Sequence, residues 1–81
     1  SPALHLAARY TGKEAVIKAL SSIGKTIPSY NEIEITNNEK GVPIVNLNNI
    51  DLTKLHVNIS LSHCKDKAIA FAIVIEFNDD E

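Results

Sequence analysis

The 81-residue sequence predicts an α+β domain in which one long helix packs on a small antiparallel sheet. Three observations predict this class: apolar residues with helical spacing near the start, later segments in which polar and apolar residues alternate, and turn residues that join these segments in pairs. Apolar residues make up 44% of the chain and charged residues 22%, as is typical of a globular domain. We assign residues 1–81 to one domain, because a chain of this length builds a single hydrophobic core.

The first predicted element is a helix over residues 6–20. One face of this helix is small as well as apolar. That face is formed by Ala8, Gly12, Ala15, Val16, Ala19 and Leu20. Because most of these side chains are small, another element can approach the helix backbone closely. Gly24 is expected to end the helix in a left-handed conformation, and Pro28 prevents its continuation.

A β-hairpin is predicted over residues 31–47. Its first strand alternates polar and apolar residues, so we expect Ile33 and Ile35 to face inward. Turn residues follow, among which Gly41 can take a positive φ. Pro43 begins the returning strand, where its missing N–H does not interrupt the ladder.

A second hairpin is predicted over residues 56–75. Its first strand alternates strictly and places Val57, Ile59 and Leu61 on one face. Its second strand, residues 68–75, is almost continuously apolar, which predicts a strand covered on both faces. The alanines of this strand share one face, and we expect that face to receive the small face of the helix. Shorter polar segments complete the chain: residues 48–55, a turn at 64–67 and an acidic tail at 78–81.

The composition excludes several classes of function. A formal net charge of −2, with scattered lysines, provides no basic surface for nucleic acid. The single cysteine, Cys64, excludes an internal disulfide and a cysteine-rich zinc site. It also fits a reducing compartment, so we expect a cytoplasmic protein. No apolar run reaches the length of a membrane span.

The predicted helix also carries a carboxylate and an ammonium group one turn apart, at Glu14 and Lys18. With the acid nearer the N-terminus, this is the favourable order for an ion pair on an exposed helix. The same two groups beside a sheet would instead hold a metal ion and a phosphate, as phosphoryl transfer requires. Both interpretations remain open from this segment alone. Arg9 and Lys13 lie at the opposite edge of the small face.

Two further segments present groups that bind phosphates or bases. Ser60, Ser62 and His63 close a strand, and their hydroxyl and imidazole groups suit a phosphate. The alternative is a polar strand face in contact with water, since antiparallel sheets often leave one face wet. Residues 41–43, Gly-Val-Pro, expose backbone groups that can contact the edge of a planar base. Their alternative is an ordinary hairpin turn.

Taken in order, these segments resemble the motifs of the 4′-phosphopantetheinyl transferases, most closely the small holo-acyl-carrier-protein synthase type. The helix motif is Lys-Glu-Ala at residues 13–15, with Lys-Ala beginning three positions after it at Lys18. Ile-Glu-Ile at residues 33–35, Gly-Val-Pro at 41–43 and Ile-Ser-Leu-Ser-His at 59–63 follow in the family's order. The resemblance therefore extends from about Ala8 to Glu76.

The resemblance implies a function for each of these residues. Such enzymes transfer phosphopantetheine from coenzyme A to a serine of an apo acyl carrier protein. Glu14 is then a Mg²⁺ ligand, and Lys18 contacts the phosphates, with either residue able to take the serine proton. The turn with Gly41 and Pro43 lies against the adenine. The 3′-phosphate is held by Ser62 and His63, and Arg9 serves phosphate or carrier binding.

The resemblance also implies an oligomer, because the small synthases are trimers that bind coenzyme A between subunits. The family's first strand carries an aspartate that is the other main metal ligand, and nothing before His5 supplies such a strand. We therefore expect an N-terminally truncated domain. The competing interpretation is a non-catalytic relative, which binds coenzyme A or serves assembly but lacks a complete metal site. A third interpretation is a small structural domain whose motifs are coincidental.

Overall fold

The computed structural model describes residues 2–26, 28–48, 55–63 and 67–77, without the side chains of residues 2–5 and 63. The described elements, in chain order, are helix α1 (Pro2–Ser22), a 3₁₀ turn (Tyr30–Glu32), and strands β1 (Ile33–Asn37), β2 (Pro43–Leu47), β3 (Leu55–His63) and β4 (Ala68–Glu76). This order confirms the predicted α+β class. The predictions for residues 49–54, 64–66 and 78–81 lie outside the described residues.

Helix α1 is longer than predicted and ends as predicted. The N–H of Lys25 donates to the carbonyl of Leu20 at 3.1 Å, and the N–H of Gly24 donates to the carbonyl of Ser21 at 3.1 Å. Gly24 has φ 77°, so these two bonds form the left-handed ending that satisfies carbonyl groups at a helix C-terminus. No helix in the described part of the chain is long and apolar enough to cross a membrane.

Strands β1 and β2 form the first predicted hairpin, with Ile33 opposite Leu47 and Ile35 opposite Val45. The turn between them is fixed by Asn38, whose side-chain oxygen accepts hydrogen bonds from the N–H groups of residues 40 and 42, both at 2.9 Å. Gly41 has the predicted positive φ, at 80°. The inward side chains of β1 are almost completely buried, which confirms the alternation.

Strands β3 and β4 form the second predicted hairpin, and Ile59 lies opposite Ala72. The inward positions Val57, Ile59 and Leu61 pack on the hydrophobic core, as predicted. In the described part of the chain the strands form two separate two-stranded sheets rather than the single sheet we predicted. Strands β2 and β3 lie against each other, but β2 exchanges its ladder hydrogen bonds with β1 alone.

The prediction that β4 is covered on both faces is wrong for a single chain. Helix α1 lies on the alanine face, while the other face of β4 is exposed. The apolar side chains on this side of β4, and that of Phe77 just after its end, are 47–72% exposed, and we call them the β4 stripe: Ile69, Phe71, Ile73, Ile75 and Phe77. The continuous apolar run therefore results from two different faces, of which this chain covers only one.

The core lies between α1 and the two hairpins. Its buried members are Ala8, Val16, Leu20, Ile33, Ile35, Leu47 and Ile59. Gly12 allows the closest approach, because a Cβ there would lie 2.8 Å from Ile35 Cδ1 and 2.9 Å from Ile59 Cδ1. The small face of α1 thus permits the predicted close packing. At Gly12, however, the partners are branched side chains of β1 and β3, not the expected alanines of β4.

Candidate functional site

A cavity of about 390 Å³ lies where α1 meets the turn of the first hairpin. It is lined by Ala8, Arg9, Ile35, Asn37, Gly41, Pro43 and Leu61, and we call it the hairpin cavity. Three of the predicted site residues, Arg9, Gly41 and Pro43, therefore meet in one place although they are distant in the sequence. The hairpin register places Pro43 directly opposite Asn37, and both residues line the cavity together with Arg9 of α1.

Arg9 is held at the edge of the hairpin cavity by a backbone contact. Its Nη1 donates a hydrogen bond to the carbonyl oxygen of Ile35 at 2.7 Å. A guanidinium group has five N–H donors, so further donors remain for an anion. The cavity consequently combines an anchored cation with the backbone of a glycine-containing turn.

A second cleft, of about 580 Å³, adjoins the hairpin cavity and shares Arg9 and Ile35 with it. Tyr10 and Tyr30 also line this tyrosine cleft, and their rings stack with centroids 5.1 Å apart and planes 13° apart. Lys13 Nζ donates to the backbone carbonyl of Tyr30 at 3.2 Å, which ties the 3₁₀ turn to α1. This cleft is not predictable from the sequence, because nothing in the local pattern relates a helix residue to a turn residue so far along the chain.

Glu14 lies one turn after Tyr10 on α1 and is half-buried, and Lys18 is exposed one turn further on. Hydrogen bonding with Tyr10, together with partial desolvation and the nearby negative charge of Glu14, raises the pKa of Tyr30 to about 12. Within the described residues Glu14 and Lys18 form no ion pair with each other; the ion pair found there joins Lys25 to Glu76. The surface ion pair that their spacing favours is therefore absent.

The structure does not bring the remaining predicted residues into the hairpin cavity. Ser62 lies opposite Ile69 and is exposed on the outer face of β3, whereas its neighbour Leu61 lines the cavity. His63 is the last residue of β3, and its side chain lies outside the described residues. Glu14 and Lys18 do not line the hairpin cavity either. The hairpin cavity of one chain thus contains Arg9, Gly41 and Pro43 without the predicted metal ligand Glu14.

Helix α1 is compatible with Mg²⁺ binding if a substrate supplies some of the ligands of the ion. No group of three histidine, cysteine, aspartate or glutamate residues that could hold a metal ion occurs in the part of the chain that the structure describes. Mg²⁺ is commonly held by one or two carboxylates together with substrate phosphates and water. A half-buried Glu14 provides one such carboxylate.

Comparison with known proteins supplies the family. The chain matches the model of the 4′-phosphopantetheinyl transferase superfamily over residues 1–73. No solved structure matches the chain.

Several curated proteins named holo-[acyl-carrier-protein] synthase are similar to it. The protein from Protochlamydia amoebophila is 43% identical over 76 residues, covering 89% of this chain and 62% of that protein. That from Dehalococcoides mccartyi is 47% identical over 74 residues, covering 84% of this chain and 60% of that protein. That from Chlorobaculum parvum is 45% identical over 74 residues, covering 90% of this chain and 62% of that protein. The chain thus spans about three fifths of the length of these relatives. By its match over residues 1–73, the chain belongs to the 4′-phosphopantetheinyl transferase superfamily.

Proposed function

We propose that the protein transfers 4′-phosphopantetheine from coenzyme A to a serine of an apo acyl carrier protein, in a Mg²⁺-dependent reaction. The observation that carries this proposal is the hairpin cavity, where the fold gathers Arg9, Gly41 and Pro43. By the resemblance, the turn with Gly41 and Pro43 lies against the adenine and Arg9 serves phosphate or carrier binding, and the three residues meet only through the tertiary structure. A cytoplasmic location accords with such substrates.

The hairpin cavity is the nucleotide half of the proposed site. Its volume of about 390 Å³ lies within the range of small-ligand sites, and its lining combines the polar groups of Arg9 and Asn37 with apolar side chains such as Leu61, which suits a nucleotide. The turn containing Gly41 and Pro43 lies against the adenine, and Arg9 neutralises a phosphate with the donors that Ile35 leaves available. Ser62 and His63, at the end of the strand that contributes Leu61, hold the 3′-phosphate.

Glu14 and Lys18 form the second half of the proposed site. The oxygen of the carrier serine forms a bond to the phosphorus that bears pantetheine, and the bond from that phosphorus to the bridging pyrophosphate oxygen breaks. Adenosine 3′,5′-bisphosphate leaves, and the serine proton passes to Lys18 or Glu14. Lys18 balances the charge that develops on the leaving phosphate, while Glu14 holds Mg²⁺, which supplies charge neutralisation at the pyrophosphate when bound.

The two halves come together between copies of the chain. Glu14 and Lys18 lie outside the hairpin cavity of their own chain, so one copy presents its cavity to the α1 helix of the next. The β4 stripe supports such an assembly, because it exposes five large apolar side chains, four on one face of β4 and one just after its end. A contiguous apolar surface of this kind is typical of a protein interface. We propose a homotrimer, as in the small synthases.

A mass-spectrometric transfer assay tests the proposal. The protein is incubated with Mg²⁺, coenzyme A and an apo carrier protein, and the carrier is expected to gain the mass of phosphopantetheine. Glu14→Gln should abolish the transfer while leaving the thermal unfolding midpoint unchanged, because the substitution keeps the shape of the side chain. Coenzyme A binding without transfer by the unmodified protein would instead support the non-catalytic alternative. The absence of both coenzyme A binding and transfer would contradict the proposed function and the non-catalytic alternative alike.

His63→Ala provides a separate test of the nucleotide half. It is expected to weaken the binding of coenzyme A more than that of 3′-dephospho-coenzyme A, because only the former carries the phosphate in question. Calorimetric titration with both ligands measures the difference. Equal weakening of the two would refute the assignment of His63 to the 3′-phosphate.

A further inference from the structure

We propose that the side-chain amide of Asn37 binds the edge of the adenine ring in the hairpin cavity. Its oxygen accepts a hydrogen bond from the 6-amino group, and its nitrogen donates one to the adjacent ring nitrogen. This inference rests on the proposed function for the identity of the ligand and adds a residue that determines specificity. Asn37 is the last residue of β1 and lines the hairpin cavity, although it belongs to none of the motifs that carry the resemblance.

The alternation of β1 places Asn37 on the inward face of the first hairpin. The two preceding inward residues, Ile33 and Ile35, are 1% and 4% exposed and belong to the core. A third apolar side chain at this position would extend the core, but an exposed amide occupies it where the cavity begins. A polar group among the apolar residues of a cavity wall is the kind of group that fixes the orientation of a ligand.

Within the described residues, the side-chain amide of Asn37 forms no hydrogen bond, unlike that of its neighbour Asn38. The side-chain oxygen of Asn38 accepts hydrogen bonds from the N–H groups of Lys40 and Val42, both at 2.9 Å, and thereby holds the turn. The Asn37 amide consequently keeps both a donor and an acceptor for a ligand. The two adjacent asparagines thus have different roles, one in the turn and one at the cavity.

The partner of Asn37 across the ladder completes a surface for a flat ring. Pro43 lies directly opposite Asn37, and opposed residues of an antiparallel pair have their side chains on the same face. The proline ring can therefore cover a face of the adenine while the amide meets its edge. Adenine presents an amino donor beside a ring-nitrogen acceptor, and an asparagine amide complements this pair with two hydrogen bonds. Arg9, which lines the same cavity, remains for a phosphate.

Calorimetric titration with two ligands tests the contact. One ligand is coenzyme A, and the other is an analogue with hydrogen in place of the 6-amino group, which removes the donor whichever edge of the ring faces Asn37. The unmodified protein should bind coenzyme A about fivefold more tightly than the analogue, the usual effect of one neutral hydrogen bond. Asn37→Leu keeps a branched side chain of similar size without its polar atoms, so this variant should bind the two ligands equally.

Asn46→Leu is the matched control. Asn46 is exposed on the other face of the same hairpin, opposite Glu34, and this variant should keep the fivefold preference. The ratio of the two affinities separates recognition from packing, because a general disturbance of the cavity weakens both ligands alike.

A fivefold preference that persists in Asn37→Leu would overturn the proposal and assign the amino group to the backbone of the turn. Equal binding of the two ligands by the unmodified protein would overturn it as well. In either case, transfer to the carrier by the unmodified protein would leave the proposed function standing. If Asn37→Leu removes the preference but the unmodified protein transfers nothing, the recognition of adenine stands and the proposed transfer fails.

Discussion

Mixing two inactive variants tests whether the site is shared between copies of the chain. Arg9→Met removes the guanidinium from the hairpin cavity but keeps an apolar stem of similar length. Glu14→Gln removes the carboxylate from the phosphate half. Arg9 makes one hydrogen bond of 2.7 Å to the Ile35 carbonyl, so its loss costs about 1 kcal/mol of folding stability, too little to unfold the chain.

The expected magnitudes follow from the contacts. Loss of one charge-assisted hydrogen bond to a phosphate weakens coenzyme A binding by about 1.5–3 kcal/mol, or roughly 10–100-fold. Each variant alone is therefore almost inactive at low coenzyme A concentration. In a ring of three with random composition, about a quarter of the sites pair an intact cavity from one copy with an intact Glu14 from the next.

The assay unfolds equal amounts of the two variants together, refolds the mixture, and follows phosphopantetheine transfer. We expect about a quarter of the unmodified rate, because the rate counts only the sites in which both halves are intact. The variants refolded separately and then combined without subunit exchange are the control. A refolded mixture no more active than that control would show that both halves act within one chain, and would refute the shared site.

Three further predictions follow from the packing and the charges. The pKa of Tyr30, raised from about 10 to about 12, means that its contribution to stability is complete below pH 10 and is lost as pH rises to 12. The free energy of unfolding, measured with urea across that range, should therefore fall more steeply for the unmodified chain than for Tyr30→Phe. Parallel curves would contradict the contact between Tyr30 and Tyr10. Gly12→Ala should cost up to about 2 kcal/mol, because the buried Ile35 and Ile59 must both shift and the gain in helix propensity offsets only part of that cost, whereas Gly12→Leu should cost about 3 kcal/mol or more. Replacing both Phe71 and Ile73 by serine should yield a folded monomer in light scattering with lost transfer; an intact trimer would exclude the β4 stripe from the interface.

Local chemistry made the fold predictable. The end of α1 and the turn between β1 and β2 each need a residue with a positive φ, and Gly24 and Gly41 adopt this conformation. The alternation in β1 and β3 depends on one buried face, and the structure shows that face in both. The apolar run of β4 does not predict its burial, because the sequence does not distinguish a face covered by α1 from a face that this chain leaves exposed.

The candidate site was predictable only in part. Arg9, Gly41 and Pro43 each belong to a local motif, and the hairpin cavity unites them. The stack of Tyr10 on Tyr30 was not predictable, because it depends on how a 3₁₀ turn docks on a helix. The separation of Glu14 from the cavity was equally hidden, since a linear motif does not say whether two groups act within one copy or between two.

Burial of the exposed β4 stripe by another copy of the chain would link folding to protein concentration. If the stripe is buried only on association, each association step contributes to the free energy of unfolding, and the unfolding temperature rises with concentration. The rate per molecule would then fall on dilution more steeply than substrate saturation explains, because separated chains lose the second half of every site. The amount of protein present would thus act as a threshold for activity.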